Sequence, residues 1–165
     1  SAIKKRKVNF ALSNNDLSEI WVDVVIGASY CNLVSLKELS AQRGRTKIYN
    51  LCSHLANLMS EADLALGAVG VTNWERMCVG LPSIVISVAD NQNPISEKLH
   101  NLGAINWLGS AGDISSDTIY KAIKEEIICK KFIIRREIAS NLCDGKGLDR
   151  VLKNLKELAS NSKNK

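Results

Sequence analysis

Short aliphatic runs alternate with amphipathic stretches along most of this chain. VDVVIG (22–27), TKIYNL (46–51), ADLALG (62–67), SIVISV (83–88) and AINWLG (104–109) read as strands. Several end at a glycine or a turn-forming residue, which suits a chain leaving the carboxyl edge of a sheet. Helical periodicity fills the intervals at 32–42, 54–60, 73–79 and 93–102. Each interval is long enough for a right-handed crossover. The pattern therefore predicts an α/β fold, a Rossmann-like three-layer arrangement around a mostly parallel sheet. After Gly109 only helical periodicity remains, so 110–160 is expected to be a helical extension of a single domain spanning 1–165. Asp113 or Ser115 and Asp144 are the predicted helix starts there, with the DGKG turn separating the last two helices. The leading VNFALSNNDLSEIW (8–21) reads as a helix running into the first strand.

Composition narrows the class without naming a function. The chain has 165 residues, enough for a substantial core, with 45% hydrophobic and only 5% aromatic residues. No run reaches the roughly 20 apolar residues of a membrane span, and no secretory leader pattern is present. The net charge of +5 is carried mainly by the termini and by KEEIICKKFIIRRE, where helical spacing spreads it over a solvated face. A nucleic-acid binder would gather that charge into a stripe with interleaved aromatics, so nucleic acid is not an expected partner, whereas an anionic small ligand is compatible. The five cysteines (Cys31, Cys52, Cys78, Cys129, Cys143) form no C-x-x-C pair. They read as reduced, mostly buried small hydrophobes of a cytoplasmic protein. With His54 and His100 as the only histidines, no metal site is expected.

The stretch with most chemical content is GAVGVTNWE (67–75). A glycine-bearing turn between a strand and a helix attracts anions, because first-turn amides are unpaired and carry partial positive charge. Gly67 and Gly70 let the backbone approach a phosphate, and Thr72 adds a hydroxyl. The same residues also fit another role, which the pattern alone favours for Glu75. Thr72-Asn73-Trp74-Glu75 has the spacing of a capping box, in which Thr72 would bond the amide of Glu75 and Glu75 would bond back. A carboxylate in that first turn is also placed for ribose hydroxyls, and both readings stand at this point. A nicotinamide fingerprint is not supported, since the spacing is G-x-x-G, and no P-loop, serine elbow or H-E-x-x-H is present.

SEADLALGAVGVTNWERMCVGLPSIVISVADNQNPISEKLHNLGAINWLG, followed by LCDGKGLDRV, resembles the carboxyl-terminal half of the UDP-sugar hydrolases of pseudaminic acid biosynthesis (PseG) and the related spore-coat polysaccharide proteins (SpsG). These are similar to the MurG-like glycosyltransferases. The resemblance runs from about residue 18 to 155. It implies one half of a GT-B fold with UDP held against it. Glu75 would accept hydrogen bonds from the ribose hydroxyls, and Gly70, Val71 and Thr72 would meet the diphosphate. Leu51 and Cys52 would offer backbone groups to the uracil, and Asn91 and Gln92 would face the sugar. Water would attack the anomeric carbon of a UDP-linked diacetamido-trideoxy sugar, with UDP leaving; no cofactor is implied.

Two parts of that family's pattern are not matched in this chain. SAIKKRKVNFALSNN does not match the Gly-Gly-Ser/Thr-Asp loop that helps hold the diphosphate. The histidine that serves as general base belongs to an amino-terminal half, and His54 and His100 read as solvated or capping residues. The expectation is a nucleotide-binding half that does not hydrolyse substrate alone and that partners an amino-terminal GT-B half in cis or in trans. A MurG-like glycosyltransferase domain and a non-catalytic module that keeps the fold are the alternatives. Asp144-Gly145-Lys146-Gly147 is expected to be a helix–helix turn, held by an Asp149–Arg150 ion pair. Trp21, Trp74 and Trp107 are expected to pack, with Trp74 also able to wall the site.

Overall fold

The computed structural model describes residues 15–28, 30–50 and 52–162. In chain order the elements are β1 (Val22–Ile26), α1 (Leu33–Arg43), β2 (Thr46–Asn50), α2 (Leu55–Glu61), β3 (Ala65–Ala68), α3 (Val71–Cys78), β4 (Ser83–Ser87), α4 (Asn93–Asn101), β5 (Asn106–Ser110), α5 (Ser116–Ile128), α6 (Lys131–Leu142) and α7 (Gly147–Ser162). The predicted strands all form, and every described pairing is parallel. They divide into a β1–β2 pair and a β3–β4–β5 sheet. The division follows the side-chain pattern. β1 alternates between solvated and half-buried positions up to the buried Ile26, whereas β4 is buried at every position, as the central strand of a covered sheet must be.

The three-stranded sheet separates two apolar layers. Ile84 and Ile86 of β4 pack with Leu17 and with Ile119, Ala122 and Ile123 of α5. Val85 points the other way, toward Met77 of α3, Leu99 of α4, Ala104, Ile105 and Ala139 of α6. Side chains alternate across a strand, so one apolar run serves both layers. The result is α/β/α, as the pattern of runs predicts. Since β3, β4 and β5 are parallel, the turns into α3 and α4 leave the same carboxyl edge.

Local sequence explains how α3 stops and β4 begins. Gly80 adopts φ +67, its amide donates to the Met77 carbonyl (3.0 Å), and the Leu81 amide donates to the Arg76 carbonyl (2.8 Å). That pair of bonds is the Schellman arrangement, and Pro82 then prevents helix continuation. The GLP triplet is thus a stop signal that delivers the chain into the sheet.

Several expectations are corrected. Residues 8–14 of the predicted leading helix lie outside the described residues; the rest forms only a 3-10 turn at Asn15–Leu17. The Ile20 amide donates to the Leu17 carbonyl (3.2 Å), and Arg43 Nη2 donates to both the Leu17 and Ile20 carbonyls (2.8 and 2.7 Å). The carboxyl-terminal extension holds three helices, not two, because Lys130 takes a left-handed φ of +50 and separates α5 from α6. No glycine or proline marks that break. Arg150 pairs with Asp144 (2.7 Å) instead of its neighbour Asp149, because residues adjacent on a helix do not face each other. None of the cysteines is buried: Cys31, Cys78 and Cys129 are exposed, Cys52 and Cys143 half-buried, and no disulfide joins described residues. Trp21 is 74% exposed rather than packed.

Candidate functional site

The β3–α3 turn sits at the carboxyl edge of the three-stranded sheet. Val69 extends the β3–β4 ladder by one bond, its amide donating to the Ile86 carbonyl (3.2 Å), and α3 begins at Val71. The residue at the helix N-cap is Gly70, not Thr72, and no side chain caps this end. The capping box is therefore not formed. Thr72 lies inside the first turn, too late to accept from its amides, and Glu75 is one turn into the helix. The Glu75 carboxylate is exposed, and no hydrogen bond or ion pair with another described residue engages it. Open space adjoins Gly70, where a Cβ would find no atom within 4 Å. Val71 is 78% exposed beside it. The geometry thus presents uncapped amides, one hydroxyl and one free carboxylate on the same short helix.

Gly67 has a different role from the expected one. It lies within β3, and a Cβ there would stand 2.9 Å from Arg76 Nη1. The glycine makes room for a guanidinium rather than for a phosphate. Arg76, which sequence reading missed, is 6% exposed. Its Nη2 donates to the Ala68 carbonyl (3.0 Å) and to Asn73 Oδ1 (3.2 Å), while Nε has no partner among the described residues. Burial lowers its pKa from 12.5 to about 10, so it stays charged at neutral pH. In a sequence, WERM on an amphipathic helix looks like an ordinary solvated charge. The only hint was Gly67 one strand back.

The β4–α4 turn contributes Asn91 and Gln92 at the same edge. Gln92 Oε1 accepts from the Val88 amide (2.8 Å), so this side chain first serves to fold its own loop. Its carbonyl accepts from Ser96 Oγ (2.6 Å), and Ser96 Oγ lies 3.4 Å from Ser87 Oγ, which also accepts from Trp107 Nε1 (2.8 Å). This buried chain of polar contacts fixes the loop against β5. Asn91 is exposed. Trp74 is 43% exposed on α3.

The remaining candidates stand apart. Cys52 is half-buried beyond the end of β2, in the other sheet, and Leu51 lies outside the described residues. His54 is the N-cap of α2 without a side-chain bond, and His100 Nδ1 accepts from the Trp107 amide (3.1 Å). A hollow on the outer face of α4, lined by Pro94, Glu97, Lys98, Asn101 and Leu102, includes none of the candidate residues.

No family model matches this chain. It is 25% identical over 146 residues to the spore coat polysaccharide biosynthesis protein SpsG of Bacillus subtilis (strain 168), covering 87% of this chain and 42% of SpsG. Among solved structures it is similar to WaaG, a glycosyltransferase involved in lipopolysaccharide biosynthesis (TM-score 0.67, 17% identity, 88% of this chain and 40% of WaaG). It is also similar to the glycotransferase of kitacinnamycin (TM-score 0.54, 14% identity, 82% and 43%). The fold is that of one half of a GT-B glycosyltransferase, and the chain spans about two fifths of the length of each of these proteins.

Proposed function

We propose that this chain is the nucleotide-sugar-binding half of a GT-B-type enzyme of surface-polysaccharide biosynthesis, holding UDP at the start of α3. The observation that carries the reading is the uncapped first turn of α3 with the free Glu75 carboxylate one turn on. The Val71 and Thr72 amides, with the Thr72 hydroxyl, would bind the pyrophosphate in the field of the helix terminus. Glu75 would accept from both ribose hydroxyls, a charge-assisted pair that distinguishes a nucleoside from a bare phosphate. Asn91, with the amide end of Gln92, would face the sugar. Departure of UDP would draw on the same amides, since they stabilise charge that grows on the leaving oxygen.

The similarity to SpsG supports a part in polysaccharide biosynthesis, and the resemblance of the Thr-x-Trp-Glu and Ala-Asp-Asn-Gln motifs to the UDP-sugar hydrolases favours hydrolysis of a UDP-sugar. The likeness to WaaG favours a glycosyl transfer reading and supports it through fold alone. In either case the second wall of the cleft and the general base come from another GT-B half, in cis or in trans. The reaction would take place in the cytoplasm, where nucleotide sugars are made.

Calorimetric titration with UDP and UMP tests the site. Binding in the micromolar-to-millimolar range that Glu75→Ala abolishes, with an unchanged circular dichroism spectrum, is the expected result. No binding at millimolar UDP refutes it. Adding an amino-terminal half in trans and following UDP release with and without a sugar acceptor then separates hydrolysis from transfer.

A further inference from the structure

Arg76 is a buried cation without a buried anion. The one carboxylate that raises its pKa is the exposed Glu75, and its fixed partners are a neutral carbonyl and a neutral amide. A guanidinium placed this way carries a desolvation cost that its own neighbours offset only in part. Its direction is set by the helix. Side chains lean toward the helix amino terminus, so Arg76 reaches back beneath the turn and bonds the last carbonyl of β3, two residues before Gly70. Asn73, which holds the other bond, donates its own amide to the Gly70 carbonyl (3.0 Å). The charge, the strand end and the helix N-cap are therefore one connected unit, and Gly67 keeps the space that the charge occupies.

We propose that Arg76 is a positioning residue for the diphosphate: a buried positive charge behind the β3–α3 turn that adds to the helix field and selects a charged nucleotide over its uncharged nucleoside. The inference rests on the nucleotide reading of the same turn. It assigns Arg76 no contact with substrate. Its charge acts from its buried position beneath the turn, while its two bonds hold the Gly70 and Val71 backbone in place for the ligand.

The test compares UDP with uridine by calorimetry for the unaltered chain, Arg76→Gln and Arg76→Lys, with folding followed by circular dichroism. The unaltered chain is expected to prefer UDP. Arg76→Gln is expected to lower the UDP-to-uridine affinity ratio about ten-fold while uridine binding changes little, as loss of one nearby charge implies. Arg76→Lys, which keeps the charge, is expected to retain most of the ratio. Asn73→Asp provides a second route should the glutamine variant not fold, since it neutralises the guanidinium in place and should also depress the ratio. A ratio unchanged in Arg76→Gln or in Asn73→Asp makes Arg76 a structural clamp and overturns the proposal. Failure of the unaltered chain to bind either ligand instead overturns the nucleotide site itself, and the charge argument falls with it.

Discussion

Replacing Glu126 by alanine should destabilise the fold by about 2–4 kcal/mol, and the structure shows where the figure comes from. Glu126 is fully buried in the last turn of α5, where the helix field alone disfavours a negative charge. Its Oε1 accepts from Asn106 Nδ2 of β5 (3.0 Å) and from Arg135 Nε of α6 (2.9 Å). Arg135 in turn donates through Nη1 to the Gly103 and Ile105 carbonyls (3.1 and 2.9 Å). Removing one partner of a buried ion pair costs about 3–5 kcal/mol because the other charge is left behind. Two features reduce that here: Arg135 is 13% exposed and can regain some water, and Glu126 Oε2 has no partner to lose. Urea unfolding at neutral pH, followed by circular dichroism, measures the change as a lower midpoint at constant slope; by heat, the loss corresponds to roughly 2–4 °C per kcal/mol. Adding Arg135→Met should restore part of the stability, since an apolar pair leaves no orphaned charge, although the Gly103 and Ile105 carbonyls lose their donor. A Glu126→Ala loss below about 1 kcal/mol, or a double variant whose loss is the simple sum of the two, refutes the reasoning.

Three smaller predictions follow from local geometry. Ser115 Oγ accepts from the Thr118 amide (3.0 Å) as the N-cap of α5, so Ser115→Ala should cost about 1 kcal/mol in the same unfolding assay. Gly145 has φ +73, and a Cβ there would stand 2.8 Å from Cys78 Sγ, so Gly145→Ala should lower the melting temperature and Cys78→Ala should restore part of the loss; no rescue would show that backbone strain alone is responsible. The Asp144 carboxyl is held at about 2 by the Arg150 side chain and the Lys146 amide, below its value of ~3.9 in an unfolded chain. Its stabilisation is thus complete above pH ~4 and lost as pH falls toward 2. Arg150→Ala should raise that carboxyl's NMR titration midpoint back toward the usual range, an effect that salt also produces by screening an exposed pair.

Particular residues show what could be read in advance. SIVIS announces a central strand because only a doubly covered strand carries no polar face, and GLP announces a stop because glycine and proline constrain the backbone wherever they stand. Ser115 is legible for the same reason: its chemistry acts within three residues. The misread positions depend on distant partners. Lys130 turns the chain although nothing in its type demands it. Leu17 and Ile20 need no helix because Arg43 supplies donors from another element. Arg76 is a buried charge only because β3 offers a glycine opposite it, a fact of packing rather than of spacing. The candidate site divides in the same way. The turn 70–75 was legible as a strand-to-helix turn at the carboxyl edge of the sheet, whereas the separation of Cys52, which follows a strand of the other sheet, was not.

The placement of glycine at the N-cap of α3 bears on function through what it leaves out. Serine, threonine or aspartate at that position would accept from a first-turn amide, stabilising the helix by several tenths of a kcal/mol relative to glycine. Nothing in the backbone forbids such a residue: Gly70 has φ 170, an extended value open to any side chain, and beyond its chain neighbours no described atom lies within 4 Å of where its Cβ would be. A glycine that is not sterically required, at a position where a capping residue would stabilise the helix, is explained when the amides are kept free for something else. Gly70→Ser should therefore raise the melting temperature by about 1–3 °C while weakening UDP at least ten-fold, because the new hydroxyl competes with phosphate for the same donors. Opposite signs in the two measurements are the signature of a ligand site. If Gly70→Ser stabilises the chain and binds UDP as well as before, the amides are not the phosphate donors; if it destabilises the chain, the glycine is structural after all and the argument from the empty cap is lost.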